Sequence, residues 1–239
     1  MAILSVLHSG FLLRKVNHSH IILVPKKKNP QRMSDYRPIS LSNVVYKILS
    51  KVLANRRKVV LPLIISKSQS AFVPGRQITD NINVAFELMH GLRNKRKGKQ
   101  YQMALKLDMS KAYDRVEWIF LECAMAHMGF ERRWIRLMMM CVFSTSYSVL
   151  LNGEPTGYIK PSRGIRQGDP LSPYLFLLCA EGLSAFLRKA EREQKIVGVS
   201  VCRGGPRISH LLFADDSLLF CRANPDVCQR LMEILAEYE

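Results

Sequence analysis

Residues 208–221 read Ile208-Ser-His-Leu-Leu-Phe-Ala-Asp-Asp-Ser-Leu-Leu-Phe-Cys221. Two short apolar runs flank Ala214-Asp215-Asp216, and this pattern predicts two strands joined by a tight turn. Two adjacent carboxylates at the tip of a hairpin repel each other, and a bound cation would remove that repulsion. The turn therefore has two interpretations: an ordinary polar turn, or part of a metal site that acts on phosphates.

A third carboxylate, Asp108, directly follows the run Gln102–Leu107, whose alternating apolar residues predict a strand. A charged residue at this position can simply mark the end of the strand. If the strand lies beside the 208–221 hairpin, however, Asp108 meets Asp215 and Asp216 at one end of a sheet. Two metal ions about 3.5–4 Å apart activate an attacking oxygen and stabilise a leaving one in phosphoryl transfer.

The rest of the chain alternates helical and strand patterns, which predicts an α+β fold. Asp169-Pro170 favours a helix N-cap followed by proline at the first helical position, with the helix running to about Lys195. Asn152-Gly153 predicts a hairpin turn. Strands are predicted at 20–24, 146–151 and 157–160, and further helices at 41–60, 79–92, 117–128 and 131–143.

Positive charge is concentrated in the first part of the chain. The 239 residues carry 36 Lys+Arg and 19 Asp+Glu, a formal net charge of +17. Residues 1–107 contain 20 of the basic and 3 of the acidic residues, whereas residues 108–239 contain 16 of each. Such a bias indicates a polyanionic partner, with nucleic acid ahead of an acidic membrane surface. The alternative is a solvated basic face.

The six cysteines form no Cys-x-x-Cys pair and have no histidine at zinc-finger spacing. They are interpreted as free thiols in a reducing compartment, and no structural zinc site is predicted. The apolar residues 1–13 lack a basic region in front of them, so they do not resemble a signal peptide. No run reaches the length of a transmembrane helix, and an intracellular protein without membrane contact is expected.

Six blocks, in order, resemble the reverse transcriptases of non-LTR (LINE-type) retrotransposons over roughly residues 9–222. The two blocks that carry the carboxylates described above are Lys106-Leu-Asp-Met-Ser-Lys-Ala-Tyr-Asp114 and Phe213-Ala-Asp-Asp216. The other four are Ile22-Leu-Val-Pro-Lys26, Asp35-Tyr-Arg-Pro-Ile-Ser-Leu41, Ser70-Ala-Phe-Val-Pro-Gly-Arg76 and Gly164-Ile-Arg-Gln-Gly-Asp-Pro-Leu-Ser-Pro173.

The resemblance implies an RNA-directed DNA polymerase that uses two Mg²⁺ ions, with Mn²⁺ as an alternative. Asp108, Asp215 and Asp216 would be the catalytic metal ligands, joined by the backbone carbonyl of Met109. Tyr113 would close the space under the sugar 2′ position, which favours deoxynucleotides.

The resemblance also implies contacts to substrates. The residues implied to bind the nucleotide are Lys26, Arg37, Tyr113, Gln167 and Gly168. Arg76 and Asn81 would contact nucleic acid. The implied partners are an RNA template, a DNA primer and dNTPs, and the implied location is the nucleus. The oligomeric state is left open.

The implied fold is a right-hand polymerase with a ferredoxin-like palm sheet, with fingers at about 1–100 and palm at 101–239, helices of the two being interleaved. A thumb is not expected within the 239 residues. Two alternatives stay open. One is a fragment that binds nucleic acid without catalysis, and the other is a relative of group II intron or telomerase type.

Overall fold

The computed structural model describes residues 2–94, 101–202 and 204–238. It divides into two compact units, and the chain passes through each of them twice. Unit 1 comprises Met1–Val59 and Lys111–Phe176, and unit 2 comprises Val60–Ser110 and Leu177–Glu239. The assignment of fingers and palm to particular stretches stays a prediction. Residues 93–99 form a basic stretch that the sequence predicts as a loop, and most of it lies outside the described residues.

The elements described are eight α-helices and seven strands. The helices are α1 (Ala2–Ser9), α2 (Val44–Lys58), α3 (Leu61–Ile64), α4 (Ile78–Asn94), α5 (Trp118–His127), α6 (Arg132–Phe143), α7 (Ser172–Arg192) and α8 (Pro225–Tyr238). The strands are β1 (His18–Pro25), β2 (Tyr36–Ser42), β3 (Gln102–Asp108), β4 (Ser146–Leu151), β5 (Glu154–Ile159), β6 (His210–Phe213) and β7 (Asp216–Arg222).

Unit 1 contains a four-stranded sheet in the order β2-β1-β4-β5, in which only the β1–β4 pair is parallel. Helix α2 begins after Asn43, whose side-chain oxygen accepts a hydrogen bond from the Val45 amide at 2.9 Å. The fully buried side chains of this unit come mainly from α2, α5 and α6, and include Leu49, Leu53 and Met138. The helices therefore supply most of its hydrophobic core.

Unit 2 contains the three-stranded antiparallel sheet β3-β7-β6. Successive residues of β7 point to opposite faces. Leu219 and Cys221 pack with α7 and α8 on one face, whereas Phe220 packs with Leu88 of α4 on the other. Both faces of the sheet are thus covered, whereas the polar turn between β6 and β7 and the ends of the strands are not.

The predicted start of the long helix was wrong. Helix α7 begins at Ser172, not after Asp169-Pro170. The Asp169 carboxylate instead accepts hydrogen bonds from the hydroxyls of Tyr46 and Ser50, and from the Leu171 amide. The hydroxyls of Tyr46 and Ser50 come from more than a hundred residues away and satisfy this buried carboxylate, whereas the bond from Leu171 is local and closes a turn before the helix.

The helix also ends before the predicted Lys195. It stops at Arg192, and Gln194 adopts a left-handed conformation with φ +56°. The amide of Lys195 then bonds to the carbonyl of Ala190 at 2.9 Å, and that of Gln194 bonds to Glu191 at 3.0 Å. This pair of bonds is the Schellman arrangement that terminates a helix.

The predicted α+β class and the predicted strands at 20–24, 102–107 and 146–151 are confirmed. Strand β2 and helices α1, α3 and α8 were not predicted. All six cysteines are free, as expected. Within the described ranges, no helix is both long enough and apolar enough to cross a membrane.

Candidate active site

The aspartate turn is a two-residue hairpin loop. Phe213 pairs with Asp216 across β6 and β7, so that only Ala214 and Asp215 connect the strands. Ala214 has φ +53°, in the left-handed region that a side chain with a Cβ disfavours. Ala214 is buried, whereas both aspartates are exposed. The turn thus holds a strained residue inward and presents two carboxylates to solvent.

Asp108 lies directly opposite Asp216 in the β3–β7 ladder. Directly paired residues of antiparallel strands have Cβ atoms about 4.5–5.5 Å apart, and like charges there are destabilising. The register therefore places Asp108 beside Asp216 at one end of the sheet, as predicted, and Asp215 precedes Asp216 in the turn. One neighbouring cation already reduces this repulsion, since Lys106 Nζ lies 3.3 Å from Asp216 Oδ1.

The donors at this sheet end suit a magnesium ion. Carboxylate and carbonyl oxygens are its usual protein ligands, and one or two carboxylates suffice when substrate phosphates complete the coordination. Asp108 and Asp216 supply such a pair, Asp215 precedes Asp216, and Met109 follows Asp108. Among the described residues, no group of three or more His, Cys, Asp or Glu side chains converges on one metal position. The oxygen donors are therefore of the kind that binds Mg²⁺, and fewer than three of the described side-chain ligands already converge on one ion position.

Arg76 and Asn81 bond to backbone of their own unit. The Arg76 guanidinium donates to the carbonyls of Ile65 (2.8 Å) and Gln69 (2.6 Å), and to that of Ser66. Asn81 Nδ2 donates at 2.8 Å to the carbonyls of Ser68 and Leu212. Both side chains thus stabilise the segment beside β6, and their contact with nucleic acid stays a prediction.

Tyr113 lies in unit 1, half-buried, with its ring stacked on Phe176 at a centroid distance of 5.3 Å. Its carbonyl accepts a hydrogen bond from the Ile165 amide at 2.8 Å. Gly164 lies so close that a Cβ on it would come within 3.0 Å of the Asp114 carbonyl oxygen. The loop at 164–168 therefore packs on the Tyr113 segment, and Phe176 supports the ring.

Gln167 and Gly168 follow in the same loop. The Gln167 carbonyl accepts a hydrogen bond from the Ser40 amide at 3.0 Å, which ties the loop to β2. Gly168 has φ +93° and is exposed, and a Cβ there would lie 3.4 Å from Ile39. A glycine suits this conformation because it lacks the Cβ that disfavours positive φ.

A buried polar network holds the middle of this loop and the residue that follows it. Arg166, 4% exposed, lies over the Tyr46 ring at 4.3 Å and donates to the Asn17 carbonyl and Thr145 Oγ1, each at 2.8 Å. The Tyr46 hydroxyl donates to Asp169 at 2.7 Å. Burial, and then the Asp169 charge, raise the pKa of Tyr46 well above its usual value. The phenol therefore stays protonated as a donor to Asp169.

The basic residues predicted to contact the triphosphate lie on the β1–β2 hairpin of unit 1. Arg37 is exposed and pairs with Val24 across the two strands. Lys26 is exposed, and its Nζ donates to the Ser34 carbonyl at 2.9 Å. Asp35 accepts from the Gln31 amide at 2.9 Å and thereby closes the connecting segment. Both cations are exposed.

The sequence motifs gave no role to two residues that the structure brings into these sites. Phe176 stacks on the Tyr113 ring. The only feature of the sequence that could have indicated this contact is its position near the start of α7. Gln69 directs its side chain to the aspartate turn, 145 residues away in sequence. Nothing local to Gln69 predicts that contact.

Known proteins resemble this chain over most of its length. A family model described as reverse transcriptase (RNA-dependent DNA polymerase) matches residues 24–238. The transposon TX1 uncharacterized 149 kDa protein of Xenopus laevis is 32% identical over 216 residues, covering 90% of this chain and 16% of that protein. A Pol polyprotein from the retrotransposable element R2 of Nasonia vitripennis is 28% identical, covering 97% of this chain and 21% of the relative.

Among solved structures, a Candida tropicalis telomerase in complex with a fragment of telomeric RNA superposes with a TM-score of 0.61. The identity is 13%, and the match covers 93% of this chain and 38% of that one, so it bears on the fold alone. The predicted fingers-and-palm polymerase fold is confirmed. The chain spans about a fifth or less of the length of the two curated relatives. It belongs to the reverse transcriptase (RNA-dependent DNA polymerase) family, as a domain of the non-LTR retrotransposon type.

Proposed function

We propose that this chain is the nucleotidyl-transfer core of an RNA-directed DNA polymerase. The observation that carries the proposal is the pairing of Asp108 with Asp216 at the end of a sheet whose adjoining turn presents Asp215. Three exposed carboxylates in so small a region repel one another unless cations bind. A substrate that arrives with divalent cations on its phosphates removes this repulsion.

The reaction proposed is attack of a primer 3′-hydroxyl on the α-phosphorus of a dNTP, with the P–O bond to pyrophosphate breaking. Two magnesium ions, when bound, would stabilise the charges on the attacking and leaving oxygens. Asp108, Asp215 and Asp216 would hold these ions, with the Met109 carbonyl as a further ligand and Mn²⁺ as an alternative ion. The protein's own contribution is then to keep these oxygens fixed at one end of the sheet.

Residues of unit 1 would select and orient the nucleotide. The Tyr113 ring is supported by Phe176, so it would yield little to a sugar 2′-hydroxyl packed against it. Arg37 offers a planar fork of donors suited to phosphate oxygens. Lys26 adds a second cation, and Gln167 and Gly168 lie on a loop tied to the strand that carries Arg37.

The RNA template and DNA primer would bind along the basic first part of the chain. The excess of 20 basic over 3 acidic residues in 1–107 favours contacts with phosphates, which are independent of sequence and weaken as salt rises. A nuclear site of action belongs to the same proposal. The charge excess alone equally favours a second function, a fragment that binds nucleic acid without synthesis.

Primer extension on an RNA template, paired with template binding over a range of salt concentrations, separates the two functions. The wild-type chain, the double substitution Asp215→Asn/Asp216→Asn and a control, Asp226→Asn at the start of α8, are compared. The polymerase proposal expects incorporation by wild type and control, and none by the double variant, with all three binding template alike. If all three chains bind template in a salt-sensitive way but incorporate no dNTP at any Mg²⁺ concentration, the result favours a fragment that binds nucleic acid without synthesis.

A further inference from the structure

The free edge of β6 is extended by a segment of residues 68–70. Gln69 bridges Leu212 in parallel orientation. The Leu212 amide donates to the Ser68 carbonyl at 2.8 Å, and the Ser70 amide donates to the Leu212 carbonyl at 3.2 Å. The strand that leads into the aspartate turn therefore has a second neighbour, which comes from the loop before α4.

The Gln69 side chain continues this ladder into the turn itself. In a regular parallel pair, the Ala214 amide would next donate to the Ser70 carbonyl. Instead, Gln69 Oε1 accepts from the Ala214 amide at 3.1 Å, and also from the Ala71 amide at 2.9 Å. Gln69 is 1% exposed, so no solvent competes for these bonds.

The residue held in this way is the strained one. Ala214 has φ +53°, and such a conformation persists at a functional site only when the surroundings impose it. Its amide is buried, and a buried amide without an acceptor is unfavourable. The Gln69 carbonyl group supplies that acceptor one residue before Asp215.

Arg76 and Asn81 keep Gln69 in place. Arg76 donates to the backbone carbonyl of Gln69 at 2.6 Å. The Asn81 side chain donates to the carbonyls of both Ser68 and Leu212 and so links the two segments. These bonds fix the backbone from which the Gln69 side chain reaches the turn. A side chain that crosses from one segment to another is rigid only if its own backbone is held.

We propose that Gln69 is a positioning residue for the aspartate turn: its side-chain carbonyl fixes the left-handed conformation of Ala214 and thereby the direction of the Asp215 carboxylate. The expected effect on metal binding rests on the proposed function, whereas the effect of Gln69 on the conformation of Ala214 does not. Gln69 touches no reacting atom in this account. Its effect reaches the reaction through the position of Asp215.

The test compares Gln69→Met, which keeps the length and removes the acceptor, with Gln69→Glu, which keeps an acceptor. Gln229→Met, on α8, is the control. Amide hydrogen exchange is followed by NMR in the chain labelled with ¹⁵N-alanine. In Gln69→Met the Ala214 amide should exchange about tenfold faster than in wild type, while Ala180 inside α7 is unchanged. Gln69→Glu should restore the slow exchange.

A second readout uses Mn²⁺ alone, titrated by electron paramagnetic resonance, beside primer extension. Gln69→Met should weaken Mn²⁺ binding and lower kcat with the KM for dNTP unchanged, and Gln229→Met should do neither. Ala214 exchange that stays at the wild-type rate in Gln69→Met would overturn the inference, even in an active polymerase. Wild-type and Asp215→Asn chains that bind Mn²⁺ equally would overturn the proposed function, while faster Ala214 exchange would still support the hold on the turn.

If Gln69→Met does not fold, Gln69→Glu decides the matter by the same exchange measurement. Ala214 exchange as slow as in wild type supports the inference. Fast exchange at Ala214 with slow exchange at Ala180 contradicts it.

Discussion

Acidification should destabilise the protein through His210, the first residue of β6. The imidazole is 3% exposed and hydrogen-bonds to Ser184 and Ser209, each at 2.8 Å. Burial, and then the charge of Arg188, lower the pKa of His210 to about 4 from its ordinary 6.5. Between these values, the unfolded chain binds a proton at this group and the folded chain does not.

Stability from this group is therefore present above pH 6.5 and is lost as the pH falls towards 4. Linkage with these two pKa values gives a loss of about 2 kcal/mol in the free energy of unfolding between pH 7 and pH 5. Urea unfolding followed by far-ultraviolet circular dichroism at the two pH values measures it. Wild type and the control His127→Gln, at an exposed position of α5, should both show this loss, whereas His210→Gln should lack it.

The reasoning would be refuted if His210→Gln lost as much stability as wild type between pH 7 and pH 5. An NMR titration gives a second check on the same group. The imidazole of His210 should remain neutral at pH 5, and a measured pKa near 6.5 would contradict the account.

Three further predictions concern Tyr113 and the residues that pack on its segment in unit 1. Tyr113→Val should raise incorporation of rNTPs relative to dNTPs by about tenfold to a hundredfold, because the ring no longer fills the space under the 2′ position; competition between the two nucleotides in primer extension measures this ratio. Phe176→Ala should lower the free energy of unfolding by about 3–5 kcal/mol, since the ring is 3% exposed, and should also relax sugar discrimination in the same assay. Gly164→Ala should destabilise the fold by about 1–3 kcal/mol, because its Cβ would lie 3.0 Å from the Asp114 carbonyl oxygen and because φ is +85° at this position. A thermal melt of Gly164→Ala that matches wild type would contradict this clash.

The carboxylate site could be predicted because its signals are local. Apolar runs on both sides of Asp215-Asp216 predict the hairpin, and the run before Asp108 predicts the strand beside it. Only one step was non-local, the pairing of that strand with the hairpin, which the sequence left as a condition. The register Asp108–Asp216 agrees with it.

The support around the site could not be predicted, because its partners are distant in sequence. Asp169 followed by proline has the local pattern of a helix cap, and what redirects its carboxylate is Tyr46, 123 residues away. Arg76 and Asn81 carry polar groups that suit nucleic acid equally well. Their bonds to backbone carbonyls depend on where those carbonyls lie after folding.

Strand β2 shows a different limit. Proline at 38 and the charged Arg37 obscure any alternation of apolar residues, so the pattern of residues 36–42 does not indicate a strand. Pairing with β1 over seven residues, from Ser42 to Tyr36, makes it one. Strand β2 lies at the edge of its sheet, where a proline without an amide hydrogen is tolerated.

The most direct test of the central claim is the rate of dNTP incorporation on an RNA-templated primer by the wild-type chain, Asp108→Asn and the control Asp226→Asn. Removing one metal-binding carboxylate should cost about 4 kcal/mol of transition-state stabilisation, or about a thousandfold in kcat. The account predicts that loss in Asp108→Asn and a wild-type rate in Asp226→Asn. Equal rates in wild type and Asp108→Asn would contradict it.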